Sequence, residues 1–232
     1  MRHNSGMRIL LISLLAVSAL VRAAPVEDSI AQRAVACAAC HGKEGRATRD
    51  GFFPRIAGKP AGYLYNQLIN FRDGRRQFPQ MRHMVGQLSD DYLRELADYF
   101  AGLHPPYPPA QAPAVPEALL QRGQRLVQEG DAARKLPACA ACHGRELGGT
   151  QPAVPGLLGL PRDYLNAQFG AWKAGTRRAA APDCMAQVVR QLSDEDVVAV
   201  SAWLAAQPVP ESLRPAAAAP AKPPLACGSM QP

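Results

Sequence analysis

From residue 24 onward, apolar side chains recur every three or four positions, the spacing of helices that bury one stripe, and period-two alternation is scarce. Leu93, Leu96 and Phe100 mark one stripe, with Tyr92 and Tyr99 at its edges; Val197, Val200, Trp203 and Leu204 mark another. Ser89 and Ser193 stand just ahead of these stripes and are followed by acids. A serine oxygen accepts from an otherwise unpaired backbone N–H at a helix start, and carboxylates favour that positive end, so both serines read as N-caps. Further helices are expected from about Ala61 to Asp73, from Arg162 to Ala174 and from Pro116 to Gln128, with only a short lead from about Asp28 and with loops between them. The expected fold class is all-α.

Ahead of residue 24 the pattern changes. Arg2, His3 and Arg8 precede an apolar run from Ile9 to Val21, which Arg22 interrupts too soon for a membrane span. It reads as a secretory leader, with Val21 and Ala23 supplying the small residues for cleavage after Ala23; an uncleaved anchor is the alternative. The body is therefore expected outside the cytoplasm, in the periplasm.

An internal repeat divides the body. Pro54, Gly58, Pro60, Tyr63, Leu64, Gln67 and Gly74 recur 101 residues later as Pro155, Gly159, Pro161, Tyr164, Leu165, Gln168 and Gly175, with Phe71 answered by Trp172. Met81, Gln87, Leu88, Ser89 and Asp90 recur 104 residues later as Met185, Gln191, Leu192, Ser193 and Asp194. Between the copies, His104 to Pro116 is too rich in proline for helix and favours extended geometry. The expected organisation is a leader 1–23, a first domain 24–104, a semi-rigid linker 105–116, a second domain 117–207 and a mobile Pro- and Ala-rich tail 208–232.

The formal charge of +7 shrinks once the leader is removed, to 23 basic against 19 acidic side chains, and each half then carries only +2. So small an excess is no argument for nucleic acid, and leaves at most a local patch for a redox partner. Arg75-Arg76 and Arg177-Arg178 suit such a patch, or the propionates of a haem, or plain solvated charge.

The chemistry lies in Cys37-Ala38-Ala39-Cys40-His41 and its copy Cys139-Ala140-Ala141-Cys142-His143. One helical turn sets two thiols against the two vinyl groups of a haem while the adjacent imidazole reaches the iron. Roughly 0.003 such segments are expected by chance in this length, so two are no accident. A zinc site has no use for a histidine directly after the second cysteine in both copies, and a dithiol redox pair would want a βαβ setting. Two covalently bound haem c groups are expected, on Cys37, Cys40, Cys139 and Cys142, with His41 and His143 as proximal iron ligands.

The sixth ligand decides between carrying electrons and turning over substrate. The repeat sets Met81 over Met185, whereas Met84 falls opposite Val188 and His83 opposite Gln187. Met81 and Met185 are therefore the expected distal ligands, with Met84 as a core filler and His83 and His104 as exposed or linker residues. A thioether raises the potential, and with both axial positions filled the iron has no open site. No other acid, base or metal constellation stands out.

These residues resemble the class I cytochromes c. The motifs are C-x-x-C-H, the P-x-x-x-G-x-P-x-x-Y-L-x-x-Q block, and a methionine seven residues before L-S-D and a terminal helix. Their tandem arrangement from about residue 28 to 206 resembles the dihaem cytochrome c4 family. The resemblance implies two mono-haem folds packed together, low-spin His/Met haems, and electron transfer without substrate turnover. The partners it implies are a quinol:cytochrome c oxidoreductase or other donor and a terminal oxidase or other acceptor, with membrane contact only through them or an uncleaved leader. It also implies that the carbonyls of Pro54 and Pro155 accept the proximal imidazole N–H groups. The rival class is a dihaem enzyme, or the cytochrome subunit of a dehydrogenase or sulfur-oxidising system, with one haem ligated differently. Cys184 and Cys227 fall outside the family pattern. In an exported chain this leftover pair is expected to close a disulfide that ties the tail beside Met185; free thiols, or Cys184 on the second iron, are the alternatives.

Overall fold

The computed structural model describes residues 27–48, 50–218 and 223–230, so the leader lies outside the described residues. Residues 27–33 belong to a unit of their own, a helical turn Ile30–Arg33 in which the Arg33 Nε donates to Asp28 Oδ1 at 2.7 Å. From Ala34 onward the chain forms one compact unit containing both halves of the repeat. It is mostly helical.

The first half comprises α1 (Val35–His41), α2 (Ala61–Arg72), α3 (Pro79–Val85) and α4 (Asp90–Ala101). The second comprises α5 (Glu117–Gln128), α6 (Ala140–His143), α7 (Arg162–Lys173), α8 (Cys184–Gln191) and α9 (Asp194–Ala206). A two-stranded antiparallel ribbon joins β1 (Gly149–Thr150) to β2 (Val154–Pro155), pairing Gly149 with Pro155 and Thr150 with Val154. Strands of two residues are too short to leave a period-two signal in the sequence.

The caps act where expected. The Ser89 side chain accepts from the Tyr92 backbone N–H at 3.3 Å, and Ser193 from Asp196 at 3.1 Å. Asp196 returns a bond to the Ser193 N–H at 3.0 Å, completing a reciprocal capping box. Helix α4 buries Leu93, Leu96, Ala97 and Phe100 and packs on α2. Helix α9 packs on both α5 and α7, and α5 comes so close that a Cβ at Gly123 would sit 2.2 Å from the Ala199 carbonyl oxygen.

The methionine segments, expected in loops, are short helices. Pro79 starts α3 at a first-turn position where no backbone donor is missed, and Asp183 caps α8 by accepting from the Ala186 N–H at 2.9 Å.

The segment 208–232, expected to be a mobile tail, is tied down at several described points, although about half of its described residues are exposed. Leu213 is buried in the second core, and Ala216 exchanges backbone bonds with the ribbon edge: Gln151 N–H to Ala216 O at 2.8 Å, Ala216 N–H to Gly149 O at 2.9 Å. Cys227 is disulfide-bonded to Cys184, and the Asn66 amide of α2 donates to Ser229 O at 3.1 Å. Composition alone missed this because the free strand edge supplies the partners that the tail's own side chains lack.

The proline-rich connection is likewise held from both sides. Buried Arg55 donates to the Pro105 and Pro106 carbonyls and lies 3.9 Å over the Tyr107 ring. Further on, the Gln111 N–H donates to Ala205 O at 2.9 Å.

Candidate haem sites

One helical turn in each half carries the thiols and the imidazole together. On α1, Cys37 is half-buried, Cys40 exposed and His41 buried; around α6, Cys139 and Cys142 are half-buried and His143 buried. All four thiols are unbridged. Each turn ends on a glycine with positive φ, Gly42 at 74° and Gly144 at 85°. At Gly42 a side chain is excluded twice, by that backbone and by the Ala47 carbonyl oxygen 2.4 Å from a Cβ.

The imidazoles are oriented alike. His41 Nδ1 donates to Pro54 O at 2.9 Å and His143 Nδ1 to Pro155 O at 2.7 Å. That fixes the tautomer with Nδ1 protonated, and among the described residues no hydrogen bond engages Nε2. Burial lowers both histidine pKa values, so each ring is held neutral, the form that ligates a metal. Burial also pushes the Cys37 and Cys142 thiols up, and that of Cys139 to about 11.

Met81 lies on α3, partly buried against Phe71, Val85 and Leu93. Met185 is the second residue of α8, half-buried, directly after the disulfide-bonded Cys184. Met84, expected in the core, is 47% exposed, because it points from the outer side of a seven-residue helix whose inner side Met81 and Val85 already fill. His83 and His104 are exposed, and the disulfide engages the thiol that competed for the second iron.

The arginines left open by the sequence form the seam between the halves. Arg76 and Arg177, 101 residues apart, pair as an antiparallel bridge, flanked by Gln77 N–H to Thr176 O and Arg178 N–H to Arg75 O, both 2.8 Å. Arg76 donates to Gln67 (2.9 Å), Gln168 (2.7 Å) and the Tyr164 hydroxyl (3.1 Å). Arg177 donates to Gln168 (2.7 Å), Gln67 (3.2 Å) and the Tyr63 hydroxyl (3.5 Å). Each contact is answered by its repeat mate, as across a local two-fold axis. Lys59 crosses the same seam, its Nζ donating to Gly156 O at 2.8 Å. The signal for the seam was the repeat itself, since Tyr63, Gln67 and Arg76 all recur at the same offset.

The donor set fits a c-type haem in each half: two free thiols, a neutral imidazole presenting Nε2, and a methionine on a separate helix of the same half. Nearby charge fits too. Arg55, Lys59 and Arg177 are buried, and none makes an ion pair with a carboxylate among the described residues; the Trp172 indole N–H, beneath Arg177, is buried without a partner. Buried cations and an idle donor are what propionates would complement. By contrast, no cluster of three His, Cys, Asp or Glu among the described residues could hold a bare metal ion.

Helices bearing two attachment turns, each with a carbonyl-oriented histidine, define a tandem c-type cytochrome. Residues 28–100 match the family model of cytochrome c oxidase, cbb3-type, subunit III, and residues 120–207 that of cytochrome c. A thiosulfate dehydrogenase electron acceptor of Thiomonas intermedia is 38% identical over 83% of this chain and 88% of its own length. A cytochrome c4 of Pseudomonas aeruginosa is 31% identical over 85% and 98%. Among solved structures, cytochrome c4 from Pseudomonas stutzeri matches 79% of this chain and 99% of its own with a TM-score of 0.67 and 27% identity. A thiosulfate dehydrogenase from Marichromatium purpuratum matches 74% at a TM-score of 0.66 and 32% identity, this chain spanning 36% of that one. The chain belongs to the c4-type dihaem cytochromes c, binds two covalent haem c groups and transfers electrons.

Proposed function

We propose that this cytochrome is a periplasmic electron carrier that takes electrons from a thiosulfate-oxidising dehydrogenase and passes them to a further redox protein. In this reading residues 24–104 and 117–207 are the two haem domains and 105–116 joins them, the leader 1–23 having directed export. Cys37 and Cys40 would hold the first haem and Cys139 and Cys142 the second, with His41 and Met81, and His143 and Met185, as the residues that would ligate each iron. The observation that carries the reading is the matched pair of imidazoles, each with Nδ1 on a proline carbonyl at 2.9 and 2.7 Å.

When bound, each haem supplies a one-electron iron couple. The chain's own residues do the rest. The Pro54 and Pro155 carbonyls hold the rings so that Nε2 faces one direction, and they raise ligand basicity. Burial of His41 and His143 keeps water and protons from competing for that nitrogen. The seam of Arg76, Arg177, Gln67 and Gln168 fixes the halves against each other, so that the distance between the two sites stays constant from one transfer to the next.

The choice of donor is supported by two relatives, from Thiomonas intermedia and Stutzerimonas stutzeri, each described as a thiosulfate dehydrogenase electron acceptor, the latter 35% identical. The test mixes purified oxidised protein with a thiosulfate dehydrogenase and thiosulfate and follows haem reduction by stopped flow. Both haems should be reduced only when enzyme and substrate are present. Reduction by a quinol oxidoreductase but not by the dehydrogenase would return the protein to the respiratory chain that ends in a terminal oxidase. Thiosulfate turnover by the cytochrome alone would make it an enzyme.

A further inference from the structure

Lys59 is where the two-fold relation of the seam fails. Its repeat mate at the offset of 101 is Leu160, a core residue of the second half, so no ammonium reaches back in the opposite direction. Lys59 is 5% exposed. Its Nζ donates to Gly156 O at 2.8 Å, and Gly156 directly follows Pro155, whose carbonyl accepts from His143 Nδ1. The cation is thus one peptide away from the group that orients the second proximal ring, although it is carried by the first half.

Among the described residues no carboxylate pairs with it. The other charged or titratable groups that bear on it are Arg55, also a cation, and His143, held neutral by burial. Burial and the Arg55 cation bring the Lys59 pKa down to about 7, so the amine carries its full charge only below that pH. A positive charge in a dry setting favours whichever state of a neighbouring centre is less positive, and for an iron couple that is the reduced one.

We propose that Lys59 is a positioning residue of the first half that sets the redox potential of the second haem, raising it relative to the first and so biasing electrons across the seam. The proposal rests on His143 being the second proximal ligand. Its chemistry is electrostatic: no bond is made or broken.

The test uses the full haem-loaded protein with Lys59→Met, Lys59→Gln and Lys59→Arg, at a pH well below 7 where Lys59 is charged, titrating each haem separately through its own methyl NMR resonances. Lys59→Met and Lys59→Gln should shift the electron distribution at half reduction away from the second haem by about threefold or more, leaving the first haem's own potential in place. Lys59→Arg should stay close to wild type, because it keeps the charge. Glutamine keeps a donor to Gly156 without charge, so a glutamine variant that behaves as wild type would reduce Lys59 to a hydrogen-bond donor and overturn the proposal. Equal shifts at both haems, an arginine variant that matches methionine, or loss of the second haem in all three variants would do the same. His143→Ala, read by loss of the second haem's low-spin spectrum, tests the ligand separately; a Lys59 variant that keeps that spectrum bears only on the charge.

Discussion

The two halves share a ligand pattern and differ in how the pattern is supported. In the first, the terminal helix α4 buries one stripe and leaves its opposite side in water. In the second, α9 is enclosed by α5 and α7 and buries Asp196, Ala199, Val200, Ser201, Ala202, Leu204 and Ala205. Asp196 is fully buried between Arg122 (2.7 Å) and Arg134 (2.6 Å), at the position where the first half has half-buried Tyr92. Conversely, among the described residues the large apolar side chains left exposed, Val35, Phe52 and Met84, all belong to the first half. Haem-binding chemistry tolerates little change between copies, whereas packing around it can be rebuilt wherever neighbours change.

The largest effects should fall equally on both halves. Met81→Ala and Met185→Ala are each expected to abolish the methionine-to-iron band of one haem and lower that haem's potential, as near-infrared absorption and redox titration would show. An unchanged spectrum for Met81→Ala would instead favour Met84 or His83 as ligand.

Stability should separate the halves. Asp196→Asn strips a buried carboxylate from two arginines and is expected to cost about 3 kcal/mol in denaturant unfolding, whereas Tyr92→Phe should cost less than about 0.5 kcal/mol. Burial alone would raise the Asp196 pKa, but the bonds from Arg134, Ser193 and Arg122 outweigh it and hold it at about 2. A carboxyl whose pKa is depressed on folding stabilises above its unfolded value, and that contribution disappears as pH falls from about 4 through 2. The acid-induced loss should therefore be shallower in Asp196→Asn.

Smaller contrasts come from two helical glycines. Gly123→Ala drives a methyl into the Ala199 carbonyl and should destabilise by about 2 kcal/mol. Gly170→Ala, on α7 with nothing within 4 Å, should stabilise by about 0.5 to 1 kcal/mol through helix propensity. Thermal melts of the pair check both signs.

The long helices and both attachment turns were legible because each rests on local rules: a period, a cap, or a five-residue motif. Ser89, Ser193 and the apolar stripes act as read. What escaped was decided by distant partners. Nothing near Lys59 in sequence says that Gly156 will receive its ammonium, and nothing in a Pro- and Ala-rich tail says that Gln151 has a free N–H waiting for Ala216. Arg76 and Arg177 stood in plain view of the repeat, but a repeat says which residues are equivalent and not that equivalents touch. The α3 and α8 helices had local signals, Pro79 and Asp183, that the short apolar spacing around the methionines obscured.

The Cys184–Cys227 disulfide divides six thiols into two fates. Four must stay reduced until they meet vinyl groups, and two must be oxidised, all in a compartment where any thiolate can attack any other. Order of emergence sorts them. In a chain exported from its N-terminus, Cys37, Cys40, Cys139 and Cys142 would emerge ahead of Cys184, whose partner lies 43 residues behind it. Closing that span restricts the unfolded chain by about 4 kcal/mol on the loop-entropy model, so the correct pairing resists reshuffling once made. Cys227 would then seal the fold by pairing with Cys184, and a chain shortened before it would leave Cys184 free to capture a thiol meant for haem.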